Sequence, residues 1–292
     1  MKEYYYYIDE SKTLMRFHIE QDDDPVMNPR KDYDQIGQMI CCYNGYALGD
    51  EDCNDLEGYI NNLLIHNVKE KTIINYVRKG KASNKLEIKY NRSEKVYELW
   101  GYYKLWISGG EVHHGIITDN GNLDWLIDDI VEALPVADKI SLLERNGFYF
   151  LPLAVYEHSG ITMYVGSKMD HFDGRWDCSD VGFIYATRKQ IVEEFGTAYK
   201  WKERADNILR VEVKEYDCWL RGEVYGFKEE QFNGEDWEDT ESCWGFISDK
   251  YGEELAREMD ITCQPFISEE EAEKYQAEVE RQSQIDMMAM SI

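Results

Sequence analysis

Four polar residues between positions 170 and 177 have the types and spacing of a small metal site. Asp170, His171, Asp173 and Asp177 follow the pattern D-H-x-D-x-x-x-D. Carboxylate oxygens and an imidazole nitrogen are ligands that suit Mg²⁺ or Mn²⁺. The same residues also suit a polar loop, in which Asp side chains accept hydrogen bonds from nearby backbone N–H groups. We favour the loop, expect no metal or other cofactor, and keep these four residues as the metal candidates.

His158 and Ser159 are a second pair with chemical potential, as a base and a nucleophile at the end of a strand. Adjacent residues of a strand point to opposite faces, so the two side chains are not expected to meet. The chain also lacks the G-x-S-x-G turn that exposes a nucleophilic serine in many hydrolases. The sequence therefore favours a hydrogen-bonded turn at residues 158–160.

Neither the cysteines nor the glycines form a standard binding motif. The seven Cys are irregularly spaced, Cys41 and Cys42 are adjacent, and no C-x-x-C occurs. This usage argues against a disulfide framework or a zinc ribbon and favours reduced, mostly buried thiols in a cytoplasmic protein. The chain also has no G-x-x-x-x-G-K-[ST] and no G-x-G-x-x-G, so a standard nucleotide-binding loop has no support.

The elements that would position these residues are predicted from hydrophobic periodicity. The predicted strands are 2–9, 15–20, 86–90, 96–107, 148–156, 161–165, 182–186, 208–216, 224–227 and 243–247. The predicted helices are 56–66, 123–134 with a further turn to 145, 188–196, and one that opens at 268. Thr187 is the expected N-cap of the third helix, and the acidic residues between the last two strands are expected to form a loop.

These elements predict an α+β fold with mixed or antiparallel sheets and flanking helices, as one intertwined body or two closely packed domains. In sequence order we expect an N-terminal α+β region (1–147), a β-rich region (148–262), and an acidic C-terminal helix and tail (263–292). The N-terminus lacks an apolar signal core, and no run of 18 apolar residues occurs. We therefore expect no export and no membrane span.

The charge of the chain is strongly acidic and unevenly distributed. It has 32 basic and 58 acidic residues, for a net charge of −26. Residues 229–280 alone hold 18 acidic and 3 basic residues, whereas residues 68–104 hold ten basic and four acidic ones. Direct binding to nucleic acid or an anionic membrane is disfavoured, because phosphate contacts need clustered Lys and Arg. A partner with a basic groove fits better.

Several blocks rich in Trp, Gly, Asp and Cys carry a family resemblance. They are NPRKDYDQIGQMICCYNGYALGDED from Asn28, LPLAVYEHSGIT from Leu151, GRWDCSDVGFIYAT from Gly174, YDCWLRGEVYGF from Tyr216, and ESCWGF from Glu241. In this order they resemble an uncharacterised protein family of bacterial phages, plasmids and conjugative elements. The resemblance implies a mobile-element setting and implies no reaction.

The chain departs from that family's pattern at two of the blocks. The family usually reads WDSGQVG where this chain has WDCSDVG, so its Ser is Cys178 here. The family also tends to carry His where this chain has Tyr43. Both departures argue against a catalytic role at these positions.

The setting and the charge together predict a non-enzymatic inhibitor of a host defence system, of the anti-CRISPR or anti-restriction type, in the cytoplasm of the bacterial host. Carboxylates placed where DNA phosphates would lie can occupy the basic groove of a nuclease, with association steered by charge. The predicted contact residues are Glu235, Asp236, Glu238, Asp239, Glu241, Glu253, Glu254, Glu269, Glu270 and Glu271.

Two other functions fit the same sequence. The first is a metal-dependent hydrolase or nuclease-like enzyme that uses His158 and the residues between 170 and 177. The second is an accessory protein of a phage or conjugative element that assembles with its own copies, its basic stretch (68–104) docking on another copy's acidic third. A stoichiometric divalent ion would favour the enzyme, and a homo-oligomer without a host partner would favour the accessory protein.

Overall fold

The structure is a computed structural model that describes residues 3–104, 111–117, 127–170 and 177–290. It has the predicted α+β fold. Two compact units are each built from separate chain segments. The first unit comprises Met1–Tyr33, Glu157–Met163 and Val213–Ile292, and the second comprises Asp34–Tyr156 and Tyr164–Glu212.

The elements are as follows. The strands are β1 (Tyr4–Ile8), β2 (Leu14–Gln21), β3 (Gln38–Cys41), β4 (Glu51–Asp52), β5 (Glu87–Asn91), β6 (Val96–Lys104), β7 (Glu111–Ile117), β8 (Phe148–Glu157), β9 (Ile161–Val165), β10 (Cys178–Thr187), β11 (Val224–Phe232) and β12 (Trp237–Ile247). The helices are α1 (Pro29–Asp32), α2 (Leu56–Asn67), α3 (Glu70–Arg78), α4 (Ile127–Ala133), α5 (Val136–Arg145), α6 (Arg188–Phe195), α7 (Trp201–Leu220), α8 (Gly252–Glu258) and α9 (Glu269–Met290).

The first unit is built on an antiparallel sheet with the strand order β1-β2-β11-β12. Phe17 of β2 lies opposite Glu229 of β11, so strands from the two ends of the chain are direct neighbours. The first unit is therefore assembled from both ends of the chain. Phe17 is fully buried and packs in a core with Leu255 and Met259, which helix α8 and its C-cap contribute.

The second unit contains β4, β3, β10 and nearly all of β8 from a sheet with the order β4-β3-β10-β8-β9, and a three-stranded sheet with the order β5-β6-β7. The described pairings of β10 are antiparallel, whereas the short β3–β4 pairing is parallel. Helices α2 to α5 contribute buried apolar residues to one core, among them Ile60, Leu64, Ile73, Ile130 and Leu142. Helix α2 agrees with the helix predicted at 56–66. Helices α4 and α5 agree with the helix predicted at 123–134 and its further turn to 145, of which residues 123–126 lie outside the described residues.

Strand β10 approaches β3 very closely at Gly182. The register of β10 against β8 shifts between Asp180 and Gly182, which marks a β-bulge. A Cβ atom at Gly182 would lie 1.9 Å from the carbonyl oxygen of Ile40. Glycine at this position is therefore what allows the two backbones to pack, and it assigns a structural role to the Gly of the WDCSDVGFIYAT block.

Helix α6 begins and ends as its sequence predicts. The backbone N–H of Gln190 donates to the Thr187 hydroxyl (3.2 Å), and the N–H of Thr187 donates to the Gln190 side chain (2.8 Å). This reciprocal pair is a capping box. Gly196 ends the helix with a left-handed φ of 68°, a conformation that glycine adopts without steric cost.

Replacing Thr187 with Ala is expected to lower the free energy of unfolding by about 1 kcal/mol, because the N-terminal hydroxyl acceptor is lost. Urea denaturation of the two proteins measures this difference. The matched control is Thr187→Ser, which keeps the hydroxyl and should stay close to the original protein. Equal losses in the two variants would assign the effect to the methyl group instead of the cap.

Two predicted elements are wrong. Residues 208–216 form part of helix α7 and not a strand. The alternation of Leu209, Val211 and Val213 suggested a strand, but Val211 is 65% exposed. Buried apolar residues recur three or four positions apart, as a helix requires, at Ala205, Leu209, Val213 and Tyr216.

The acidic segment after residue 232 is the second difference. It is mostly strand, because β12 begins at Trp237 and pairs with β11 along its length. The short turn at 233–236 is what remains of the predicted loop. Helix α3, with four buried residues, lies in a stretch for which no helix was predicted.

Candidate functional site

The ten predicted contact carboxylates all lie in the first unit, and all of them are exposed. They occupy three places: the β11–β12 hairpin, helix α8, and the first turn of helix α9. The hairpin carries five of them within seven residues, namely Glu235, Asp236, Glu238, Asp239 and Glu241. We call these five residues the hairpin carboxylates.

The turn of this hairpin is fixed by Asn233. Its side-chain oxygen accepts hydrogen bonds from the backbone N–H groups of Glu235 and Asp236, both at 2.9 Å. Its side-chain nitrogen donates to Glu238 at 2.6 Å. Trp237 anchors the turn below, where its ring packs on Phe232 with centroids 5.4 Å apart. The hairpin carboxylates are therefore held on an ordered backbone.

Acidic residues on the inner strands of the same sheet have defined partners. Glu230 of β11 forms an ion pair with Arg16 of β2 at 2.5 Å. Glu229 is buried and accepts hydrogen bonds from Tyr7 (2.5 Å) and Thr240 (3.0 Å). Burial, reinforced by the Glu229 carboxylate, raises the pKa of Tyr7 well above its ordinary value, so Tyr7 stays a neutral donor.

The edge strand β12 has no such compensation. Residues 238–244 are exposed, and β12 has a single strand neighbour. Across the described residues, the ion pairs link none of the hairpin carboxylates to a Lys or Arg. Lys228, the nearest strand cation in the β11 register, is instead paired with Glu20 at 2.9 Å. Arg16 and Lys228 thus pair with acidic residues of the sheet's own inner strands. The carboxylates on its edge strand β12 are left without a cationic partner among the described residues.

The carboxylates of α8 and α9 have local structural partners. Glu253 pairs with Arg257, Glu254 with Lys250 (3.6 Å) and Glu270 with Lys274 (2.9 Å). Glu271 completes the N-terminal cap of α9, and hydrogen bonds from the backbone and then the hydroxyl of Ser268 lower the pKa of its carboxyl. Because these carboxylates already have partners within the protein, the hairpin carboxylates are the better candidates for binding another molecule.

The metal candidates are not assembled by the described residues. The Asp170 carboxylate accepts from the backbone N–H of Ser167 at 2.7 Å and so serves the local turn. His171 and Asp173 lie outside the described residues. Over the ranges that the structure describes, which include Asp170 and Asp177, no group of three His, Cys, Asp or Glu residues is placed to hold a metal ion.

The HSG motif forms the turn between β8 and β9, as predicted. The backbone N–H of His158 donates to the carbonyl of Gly160 at 3.1 Å. Ser159 has a φ of 61°, in the left-handed region. These residues shape the turn between the two strands.

Two features of the second unit have no motif in the sequence. One is an open groove of about 960 Å³ whose lining includes Arg145, Arg188, Lys189 and Trp201. The other is a pair of half-buried thiols, Cys42 and Cys53, with their sulfur atoms 3.0 Å apart. The eleven-residue separation of the two cysteines has no standard spacing, and their proximity depends on the β3–β4 pairing.

Comparisons with family models, with curated proteins and with solved structures found no match to this chain. Among the helices of the described residues, none combines the length and apolar character that crossing a membrane requires.

Proposed function

We propose that the protein is an inhibitor of a host defence nuclease and that its hairpin carboxylates bind the nuclease's basic nucleic-acid groove. One observation carries the proposal: five exposed carboxylates, without cationic partners in the described structure, crowd the edge of a sheet whose inner acidic residues have ion-pair or hydrogen-bond partners. Such crowding is unfavourable in the free protein. It becomes favourable when a cationic surface approaches.

The spacing of the charges also suits a groove that binds DNA. An antiparallel strand advances about 3.4 Å per residue. A single strand of duplex DNA carries one charge per roughly 3.4 Å of helix axis. Glu238, Asp239 and Glu241 therefore place three negative charges along roughly 10 Å of β12, divided between the two faces of this edge strand.

We propose that the protein is encoded by a mobile genetic element, and this part of the proposal rests on the family resemblance. Phages, plasmids and conjugative elements meet restriction enzymes and RNA-guided nucleases in their hosts. Both kinds of nuclease hold DNA through Lys and Arg. An acidic protein encoded by such an element would protect the element's DNA by occupying that groove.

Competition with DNA tests the proposal directly. Fluorescent duplex DNA is bound to each member of a panel of purified restriction enzymes and RNA-guided effector complexes, and the full-length protein is titrated in. We expect displacement of DNA from at least one nuclease. Displacement should weaken at least tenfold between about 50 and 200 mM salt, because the contacts are ionic.

Two outcomes of the panel would contradict the proposal, in whole or in part. If DNA stays bound to every nuclease at low salt, groove occupation is excluded for that panel. If displacement occurs with no dependence on salt, the inhibitor role survives but contacts other than the carboxylates must carry the binding.

A further inference from the structure

Cys42 and Cys53 are brought together by the parallel pairing of β3 and β4. The register places Ile40 beside Glu51 and Cys41 beside Asp52, so the next residue on each strand continues the alignment. The Cys42 sulfur lies within hydrogen-bonding distance of the Cys53 sulfur (3.0 Å) and of the Cys53 carbonyl oxygen (2.8 Å). Neighbouring strands lie about 4.8 Å apart, within the range of Cα separations that a disulfide spans.

Both thiols can be reached from solution. They are half-buried and line one open pocket of about 340 Å³ together with Asn44 and Asp180. Cys53 also lines a second pocket of about 280 Å³. The neighbouring Cys41 is different, since its side chain is only 4% exposed and adjacent strand residues point to opposite faces.

We propose that Cys42 and Cys53 are a redox modification site, which low-molecular-weight disulfides such as oxidised glutathione convert reversibly into an intramolecular disulfide. The proposal is independent of the nuclease-binding function, because both thiols belong to the second unit and the hairpin carboxylates to the first.

The chemistry takes two exchange steps. The Cys53 thiolate attacks glutathione disulfide, forms a mixed disulfide and releases one glutathione thiolate. The Cys42 thiolate then attacks the Cys53 sulfur, forms the protein disulfide and releases the second glutathione. Two protein thiols lose two electrons and two protons, and one glutathione disulfide is reduced to two glutathione thiols.

The order of the steps follows from the environments of the two sulfurs. Cys53 lines both pockets, and Cys42 lines the pocket of about 340 Å³. Burial, together with the hydrogen bond to Cys53, raises the pKa of Cys42 to about 11. Cys42 is therefore a poor first nucleophile, but its position beside Cys53 suits it to the second, intramolecular step.

The Cys42–Cys53 disulfide would restrain strand β4 at the edge of the five-stranded sheet. Strand β4 is only two residues long and lies at that edge. A disulfide between Cys42 and Cys53 would covalently join it to β3 and close the loop of residues 43–52. The modified protein should then resist proteolysis in this loop more than the reduced protein does.

Peptide mapping tests the proposal on the full chain. A variant with Cys243→Ser and Cys263→Ser removes the two exposed thiols and serves as the background. It is treated with oxidised glutathione, alkylated and cleaved by a glutamate-specific protease, which separates Cys42 from Cys53 at Glu51. We expect the fragments on the two sides of Glu51 to be disulfide-linked, two fewer alkylated thiols, and full reversal by dithiothreitol.

Single-residue variants show which sulfur atoms form the disulfide. Cys42→Ser should abolish the link and leave glutathione trapped on Cys53, whereas Cys41→Ala should keep the link. A link that persists in Cys42→Ser would overturn the assignment. Recovery of unlinked, fully alkylated fragments from the folded background protein would overturn the proposal without any further variant.

Discussion

Replacing all five hairpin carboxylates with Lys is expected to abolish inhibition of the nuclease that the original protein inhibits. Each replacement removes an attraction to the basic groove and adds a repulsion. An exposed ion pair contributes roughly 0.2–1 kcal/mol, and reversal costs more than simple loss. Five reversals therefore amount to several kcal/mol, which corresponds to at least about a 100-fold rise in the concentration needed for half-inhibition.

The fold should survive this change, because residues 238–244 are exposed and the inner pairs Arg16–Glu230 and Lys228–Glu20 remain. Circular dichroism and thermal unfolding check this point. The matched control reverses five exposed Glu residues of the second unit, namely Glu132, Glu144, Glu193, Glu194 and Glu203. The control changes the net charge equally and should inhibit within a few-fold of the original protein.

The comparison of the two variants separates three explanations. Loss of inhibition in the hairpin variant alone locates the site at β12. Equal losses in both variants would mean that net charge acts at long range and that the hairpin is not a defined site. Full inhibition by the hairpin variant would refute the proposed contact.

Gly182→Ala is expected to have the largest effect on stability of any methyl-sized change. The added Cβ would lie 1.9 Å from the Ile40 carbonyl oxygen and 3.1 Å from the Cys41 Cα. Both atoms belong to the backbone of β3, so no side-chain rotation can relieve the overlap. Separation of β10 from β3 at the centre of the sheet should cost more than about 3 kcal/mol and leave little folded protein.

Gly160→Ala is the natural control for that experiment. It adds the same methyl group at a position where no heavy atom lies within 4 Å of the new Cβ. Its free energy of unfolding should stay within about 0.5 kcal/mol of the original value. Thermal and urea unfolding of both variants measure the contrast, and an equally stable Gly182→Ala protein would contradict the close approach of β10 and β3.

The features that could be predicted from the sequence are those that neighbouring residues determine. Thr187, Gln190 and Gly196 specify the two ends of α6 within ten residues, and the structure confirms both. The hairpin of β1 and β2 follows from short aromatic and apolar runs separated by a turn. The exposure of the ten carboxylates also follows from residue type, because charged side chains usually remain in water.

The features that were missed depend on contacts between distant residues. Val211 and Val213 suggested a strand, and only the packing of Leu209 and Tyr216 shows which face of the segment is buried. The Cys42–Cys53 pair depends on a parallel pairing between strands of four and two residues, too short to leave a periodic signal. The contrast between paired and unpaired carboxylates depends on Arg16, more than 200 positions before β12.

The pairing of β2 with β11 has a consequence for the order of events during synthesis. Tyr7 and Glu229, which touch in the finished sheet, are 222 residues apart. At about 5–20 residues per second, a ribosome needs roughly 10–45 seconds to bridge that distance. The β1–β2 hairpin must wait for its partner throughout this interval, and an isolated two-stranded hairpin is only marginally stable in water. The nascent chain can complete the second unit once Glu212 has emerged, whereas the acidic edge gains its support only after β12 follows.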